Sequence, residues 1–306
     1  MVDRVLVTLD GAVRDADAPL LFADDIGVLR GDGVFETVLV RSGKACAIEH
    51  HLGRLRHSAQ ALDLPEPELA RWREAVETAA KEWGSEREGV LRMVLTRGRD
   101  SDLPGVKDSV TSGDLAAAVP VPTAYVLVLP VGARVAKART EGIKVVSLAR
   151  GISIDLAQAA PWQLLGAKTL SYATNMSALR FAQRMGADDV IFTSNENRVL
   201  EGPRSTVVIA RDKQLLTPPA KNGVLPGVTQ RALFAEAEKA GWECVYKSLF
   251  TADLLTCDSV WLLSSITLAA RVNSLDGLRM SAPDNAQVII DLVDRAVEKT
   301  GSARDW

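Results

Sequence analysis

The chain has 306 residues, 47% hydrophobic and 25% charged, an ordinary globular composition with room for two domains or one large one. A formal net charge of -3 with a pI near 5.8 offers no general attraction to nucleic acid or an acidic membrane, so an anionic ligand needs a local site. No apolar run is long enough to span a bilayer, and the opening Met1-Val2-Asp3-Arg4-Val5-Leu6-Val7 lacks the apolar core of a signal peptide, so no membrane or nucleic-acid partner is expected.

In chain order, alternation from Arg4 to Leu9 and the β-rich run Val34 to Val40 read as strands, followed by a Ser42-Gly43-Lys44 turn and a short strand from Ala45 to Ile48. His51 to Leu62 carries Leu52, Leu55, Ala59 and Leu62 at helical spacing and stops before Pro65-Glu66-Pro67. Glu68 to Trp83 predicts a second amphipathic helix, and Val90 to Thr96 and Ala124 to Pro130 predict strands. The polar stretch Arg97 to Pro122 between them is long for a compact domain and is expected to be a lid. Pro130-Val131-Gly132-Ala133 reads as a junction between domains at 1–131 and 132–306. The second half then predicts strands at Ile143 to Ala149, Asp189 to Thr193, Val199 to Leu200, Thr206 to Arg211 and Val260 to Leu263. Helices are predicted from Ser171 to Gly186, from Gly227-Val228-Thr229 to Ala240, and from Asn285 to Lys299.

Cys46, Cys244 and Cys257 are an odd set without Cys-x-x-Cys spacing, which argues against a disulfide framework and a zinc site and suits a reducing cytoplasm. His50, His51 and His57 crowd one basic stretch; they read as helix-surface or interface residues, and no metal centre is expected.

The chemistry lies elsewhere. Lys168, in Gly166-Ala167-Lys168-Thr169-Leu170, is an amine behind a small-residue turn, and Glu201 ends an apolar pair before the forced turn Gly202-Pro203. Together they suit pyridoxal phosphate, which needs an amine for its Schiff base and a carboxylate for its ring nitrogen. Taken singly, each has a bland alternative: a solvated lysine and a strand-end acid. Gly227-Val228-Thr229 at a helix start offers backbone N–H groups to a phosphate, or is a plain cap. Ser264-Ser265-Ile266-Thr267 breaks an apolar strand and adds hydroxyls, or is a simple turn. Arg54 reads as lying on the helix face away from Leu52 and Leu55, either a phosphate clamp or a solvated arginine. Gly31-Asp32-Gly33-Val34 precedes a strand instead of a helix, so it reads as a tight turn at a strand edge and not as a nucleotide loop.

These runs, together with Arg30-Gly31-Asp32-Gly33-Val34-Phe35-Glu36-Thr37 and His51-Leu52-Gly53-Arg54-Leu55, resemble in order the fold-type IV, or class IV, pyridoxal-phosphate enzymes. That family includes branched-chain and D-amino-acid aminotransferases and 4-amino-4-deoxychorismate lyase. The resemblance implies an α/β (α+β) fold of two domains, a small α/β domain and a larger one with a β-barrel-like core, and a homodimer. It further implies that Lys168 is the Schiff-base lysine and Glu201 the partner of the ring nitrogen. Arg54, Val228, Thr229 and Ser265 would hold the phosphate, Tyr172 would approach the phenolic oxygen, and Ser205 would join the cofactor-binding set. Ile266 and Thr267 would line the substrate side. In a dimer, residues near Arg30 and after Arg97 would reach the neighbouring site.

Thr37 matches a threonine of the lyase relatives, and Leu200-Glu201-Gly202-Pro203-Arg204-Ser205-Thr206-Val207-Val208 looks like actinobacterial aminodeoxychorismate lyases. The segment Gly98-Arg99-Asp100-Ser101-Asp102 lacks the Arg-x-His carboxylate trap of D-amino-acid aminotransferases. Ser264-Ser265-Ile266-Thr267, in contrast, is closer to the D-amino-acid aminotransferase version. The expected activity is therefore the lyase first and an aminotransferase second, with a dual activity open. Arg92, Arg97, Arg99 and Arg204 are the candidate ligands of substrate carboxylates.

Overall fold

The computed structural model describes residues 3–102 and 121–298. Most of the expected lid lies outside these described residues. The chain divides into two compact units, one holding the described residues up to Val131 together with Ala167–Tyr172, the other holding Gly132–Gly166 and the described residues from Ala173 onward.

The first unit is a six-stranded sheet built from β1 (Val5–Thr8), β2 (Val13–Arg14), β3 (Gly33–Arg41), β4 (Lys44–Ala45), β5 (Gly89–Thr96) and β6 (Ala124–Pro130), in the order β2-β1-β6-β5-β3-β4. Its pairings are antiparallel, although only β1–β2 and β3–β4 are joined by short turns. Helix α1 (Ile26–Arg30) precedes β3, and α2 (Ile48–Ala61) and α3 (Leu69–Trp83) follow β4. In β3 the residues Val34, Glu36, Val38 and Val40 are all buried on one face, where strand alternation puts them, and α2 packs there.

Two local expectations change. Ile48 starts α2 instead of ending a strand, because the chain turns at Ala47, whose φ is +50°. The Gly31-Asp32-Gly33 turn does lead into a strand edge, but it closes α1, a helix the sequence reading lacked. Asp25 caps α1 by accepting the Gly27 N–H, and Gly31 ends it in the left-handed conformation at φ +71°. Five residues are too few to print a helical period.

The second unit is a mixed sheet of eight strands. It comprises β7 (Ile143–Ala149), β8 (Asp189–Thr193), β9 (Thr206–Arg211), β10 (Gln214–Thr217), β11 (Glu243–Tyr246), β12 (Ser259–Ser264), β13 (Leu268–Leu275) and β14 (Leu278–Arg279). The order is β11-β10-β9-β12-β13-β7-β8, with β14 beside β13. Its helices are α4 (Ala133–Glu141), α5 (Leu156–Ala159), α6 (Ala173–Arg184), α7 (Val228–Lys239), α8 (Thr251–Thr256) and α9 (Ala286–Glu298). The central strands are apolar at successive positions because both faces are covered: Ile191 joins a cluster with Val145, Val207, Ile209, Val260 and Leu262, while its neighbours Val190 and Phe192 join Ala182, Leu200 and Val224.

Val199 and Leu200 form only a short bridge to β8, with Leu200 N–H donating to the Phe192 carbonyl at 2.9 Å and Phe192 N–H to the Glu201 carbonyl at 2.9 Å. Gly202 and Ser205 then close the tight turn, Gly202 N–H donating to the Ser205 carbonyl at 2.8 Å. No helix among the described residues is long and apolar enough to cross a membrane, and no group of His, Cys, Asp or Glu among them could hold a metal.

Candidate active site

Lys168 lies in the sequence half assigned to the second domain, yet its segment belongs to the first unit, because main-chain pairing ties it to β3. Val34 and Thr169 form an antiparallel bridge, Phe35 N–H donates to the Lys168 carbonyl at 3.1 Å, and Leu170 N–H donates to the Gly33 carbonyl at 2.8 Å. Gly33 makes this approach possible: a Cβ there would lie 2.7 Å from both Leu170 Cδ1 and the Leu95 carbonyl oxygen. From α2, the Ser58 hydroxyl accepts the Lys168 N–H at 3.1 Å. The lysine is half-buried, with Nζ 4.7 Å from the centre of the Phe35 ring and 5.8 Å from that of Tyr172. The two rings meet edge to face, 5.3 Å apart at 85°. A solvated surface amine is not what the fold makes of Lys168.

Beneath it lies a buried polar cluster. Glu36 is fully buried and takes Arg54 at two points, Nε on Oε1 at 2.6 Å and Nη2 on Oε2 at 2.7 Å. His51 Nδ1 meets Oε2 at 2.7 Å, and the Thr37 N–H donates to the same oxygen at 3.3 Å. Burial alone would raise the Glu36 carboxyl, but the charge and hydrogen bonds of Arg54, helped by His51, hold it far below the ordinary carboxylate range. His51 moves the other way from a charged partner: burial lowers it most, and the positive charges of Arg54 and Lys168 lower it further against the pull of Glu36. The lowered value favours the neutral ring, whose Nδ1, 2.7 Å from a carboxylate oxygen, is the nitrogen placed to donate to Glu36.

This corrects two expectations. Arg54 is only 4% exposed and His51 only 1%, so neither is a solvated helix residue. Positions 51, 54 and 58 recur at helical spacing and form a polar stripe beside Leu52, Leu55 and Ala59; a charge on β3's core face gives that stripe something to bind.

On the opposite face of the sheet, Thr37 stands across from Arg92, and Phe35 across from Val94, which in turn faces Tyr125. Arg92 is exposed and, among the described residues, makes no hydrogen bond or ion pair. Burial raises the Tyr125 hydroxyl, with nearby Arg92 opposing and Asp25 reinforcing the shift. Arg97 differs from Arg92. Its guanidinium is engaged by Asp32 at 2.6 and 3.2 Å, the Leu62 carbonyl at 2.6 Å and the Asp63 carbonyl at 3.2 Å. Arg99 pairs with Asp24 at 3.0 Å and stacks on Phe22. The geometry thus makes Arg97 and Arg99 braces for the segment before β3, whereas Arg92 presents its charge on an open strand face.

In the second unit, Glu201 is held at the end of its turn. Leu225 N–H donates to Oε2 at 2.9 Å, and Arg150 Nη1 stands 3.6 Å from Oε1. Gly227 begins α7 without a capping side chain, and Val228 and Thr229 behind it are buried, so the first-turn N–H groups keep the capacity to bind an anion. A Cβ at Gly227 would collide with Thr206 Oγ1. A cavity reaches this helix start, lined by Thr206, Leu225, Gly227 and Gln230 among others. Ser205 Oγ is buried and has no hydrogen-bond partner among the described residues. Ser265, Ile266 and Thr267 form the tip of the β12–β13 hairpin, whose Ser264 and Leu268 pair across it. The turn is held by Thr267 N–H donating to Ser264 Oγ at 3.1 Å and by Arg139 of α4 donating to the Ile266 carbonyl. Leu268 enters β13 at φ +61°, a strained value for a bulky residue. Arg204 is drawn toward Asp189, 3.8 Å away, whose carboxyl is raised by burial.

Sequence reasoning missed Glu36, His51, Ser58 and Arg150 as parts of these sites. For Glu36 a signal was present, a charge at a core-facing position of an apolar strand. Arg150 carried none, since its partner lies far along the chain.

Comparison with known proteins identifies the family. Residues 33–275 match the family model described as amino-transferase class IV. The chain is 49% identical over 302 residues to the bifunctional aminodeoxychorismate lyase / D-amino acid transaminase of Mycobacterium tuberculosis, covering 96% of this chain and 99% of that protein. The PLP-bound structure of a hypothetical aminotransferase from Mycobacterium tuberculosis superposes with a TM-score of 0.88 at 49% identity, over 96% of this chain and 98% of the other. A fold IV-transaminase from Curtobacterium pusillum gives 0.86 at 37% identity, over 97% and 98%. The chain therefore belongs to the class IV aminotransferases, the fold-type IV enzymes that use pyridoxal phosphate.

Proposed function

We propose that this protein is a 4-amino-4-deoxychorismate lyase, releasing pyruvate and 4-aminobenzoate, with D-amino-acid transamination as a second activity of the same site. The observation that carries the reading is end-to-end similarity, 49% identity, to an enzyme named for both activities. The aminotransferase as main activity is the second reading, favoured by the 37% identity to a fold IV-transaminase and by the Ser264-Ser265-Ile266-Thr267 turn.

The residues present fit pyridoxal phosphate. The uncapped start of α7, with Gly227 packed too closely on Thr206 for any side chain, suits a phosphate, and the buried Ser205 hydroxyl has no hydrogen-bond partner among the described residues. When bound, the cofactor supplies an aldehyde carbon for an amine and a ring that withdraws electrons from the substrate's α-carbon.

The protein's own groups do the rest. Lys168 would offer Nζ as the attaching amine and as the base for the substrate's α-proton. Phe35 and Tyr172 flank that nitrogen, and Ser58 fixes its main chain, so the amine returns to one place. Tyr172 serves the phenolic oxygen. Glu201, held by Leu225 N–H and Arg150, would face the ring nitrogen. By family resemblance Arg54, Val228, Thr229 and Ser265 would hold the phosphate, and Ser205 would add a cofactor contact. Thr37 and Arg92 would serve the substrate, Arg92 by binding a carboxylate, and Ile266 and Thr267 would belong to the substrate-binding set. A homodimer in the cytoplasm completes the reading, supported by family resemblance and by the three cysteines, all of them free thiols.

Purified protein given aminodeoxychorismate and no 2-oxo acid is expected to release pyruvate and 4-aminobenzoate in equal amounts. Turnover that appears only with a 2-oxo acid and a D-amino acid would make the transaminase the main activity.

A further inference from the structure

Glu36 and His51 have no part in the chemistry assigned so far, and the cluster they form with Arg54 is costly to build. Taking a carboxylate and a guanidinium out of water costs several kcal/mol each before they attract one another, and a well-packed apolar trio is often as stable. What such a cluster supplies better than an apolar one is orientation. The guanidinium is planar, and Glu36 occupies its Nε–Nη2 edge at two points, which fixes both the plane and the direction in which Nη1 points, away from Glu36. His51 and the Thr37 N–H in turn fix the carboxylate. The same helix that carries His51 and Arg54 holds the Lys168 main chain through Ser58. Arg54 and the attaching amine are thus registered on one template, α2.

We propose that Glu36 and His51 are positioning residues for anion recognition: they hold Arg54 in the one orientation that engages the phosphate of the cofactor. This rests on the assignment of Arg54 to that phosphate. It makes the cluster a selector between phosphorylated and unphosphorylated forms of the same aldehyde, with no role in the attachment to Lys168 itself.

The test compares pyridoxal phosphate with pyridoxal, which share the aldehyde and ring and differ in the phosphate. Dissociation constants are measured by absorbance titration of cofactor-free protein. The wild type is expected to prefer pyridoxal phosphate; a wild type that binds neither sinks the cofactor assignment itself, before any variant is considered. Glu36→Gln is expected to weaken pyridoxal phosphate roughly tenfold or more, the order of one charge-assisted hydrogen bond, and pyridoxal less than about twofold. His51→Gln is expected to give a smaller loss in the same direction.

Glu36→Gln strands a buried guanidinium and risks the fold, so the cycle is completed with Arg54→Met and with the double variant Glu36→Gln/Arg54→Met, which leaves no charge unpaired. If Glu36 acts through Arg54, Arg54→Met and the double variant show the same lowered preference. An unchanged preference in His51→Gln and Glu36→Gln, or a further loss when Glu36→Gln is added to Arg54→Met, overturns the proposal.

Discussion

Lys168 Nζ stands 4.7 Å from the centre of the Phe35 ring, one strand position from the buried Glu36. Two successive residues of β3 therefore serve opposite faces, an aromatic face for the amine and a carboxylate for the arginine under it. Borohydride reduction of the protein with pyridoxal phosphate, followed by peptide mapping, is expected to place the added mass on Lys168. Lys168→Ala is expected to lose both that label and at least about a hundredfold in turnover, the usual scale for a lost proton-transfer group. A label retained elsewhere with activity intact would remove Lys168 from the mechanism.

Stability should fall in acid in two separable stages. The folded protein lowers the pKa of both His51 and Glu36 from ordinary values of 6.5 and 4.5. Just below each ordinary value the unfolded chain binds the proton and the folded one does not, so stability rises with pH there and is lost as pH falls. His51→Gln should flatten the part of the urea-midpoint profile that begins near pH 6.5 and leave the part beginning near 4.5. Other lowered carboxylates, such as Glu49 beside Arg73 and Asp253 beside Arg211, contribute to the second part. An unaltered upper limb in His51→Gln would mean that the imidazole is not held neutral.

Gly227→Ala puts a methyl group against Thr206 Oγ1 at the start of α7. Overpacking of this kind costs about 1–3 kcal/mol, and here it should also shift the first-turn amides and weaken pyridoxal phosphate more than pyridoxal. Adding Thr206→Ala should restore much of both. Thermal melts and cofactor titration of the single and double variants check this, and failure of the second change to rescue would place the strain elsewhere.

Arg92 and Arg97 should separate cleanly. Arg92→Leu is expected to raise the KM for a carboxylate substrate by roughly tenfold with the melting temperature nearly unchanged, since among the described residues its side chain has no hydrogen bond or ion pair to lose. Arg97→Leu removes hydrogen bonds to Asp32, Leu62 and Asp63 and is expected to cost about 2–3 kcal/mol of stability. The reverse pattern would exchange their roles.

The long periodic elements were legible because their residues repeat a core-facing pattern: α2, α3, α7 and α9, and strands β3, β5, β6, β7, β8, β9 and β12. The four-residue β1 was legible too, but several short elements were not. Helix α1 is set by the Asp25 cap and Gly31, and α4 sits in the stretch that Pro130 and Gly132 marked as a junction. Strand β13 escaped because Ser264-Ser265-Ile266-Thr267 read as the end of the apolar run, whereas the chain turns there and pairs back on β12.

By itself the sequence determined the family, the cofactor and the residue types at Lys168, Glu201 and Gly227-Val228-Thr229, because those depend on local motifs in a fixed order. Tertiary structure alone decided what each side chain meets. It moved Lys168 into the first unit through its pairing with β3, buried Arg54 and His51 on Glu36, and bound Arg97 to Asp32 while leaving Arg92 open. The reason is physical: a lysine or arginine carries the same charge wherever it is written, and only the burial and the partners supplied by distant strands fix its direction and its protonation.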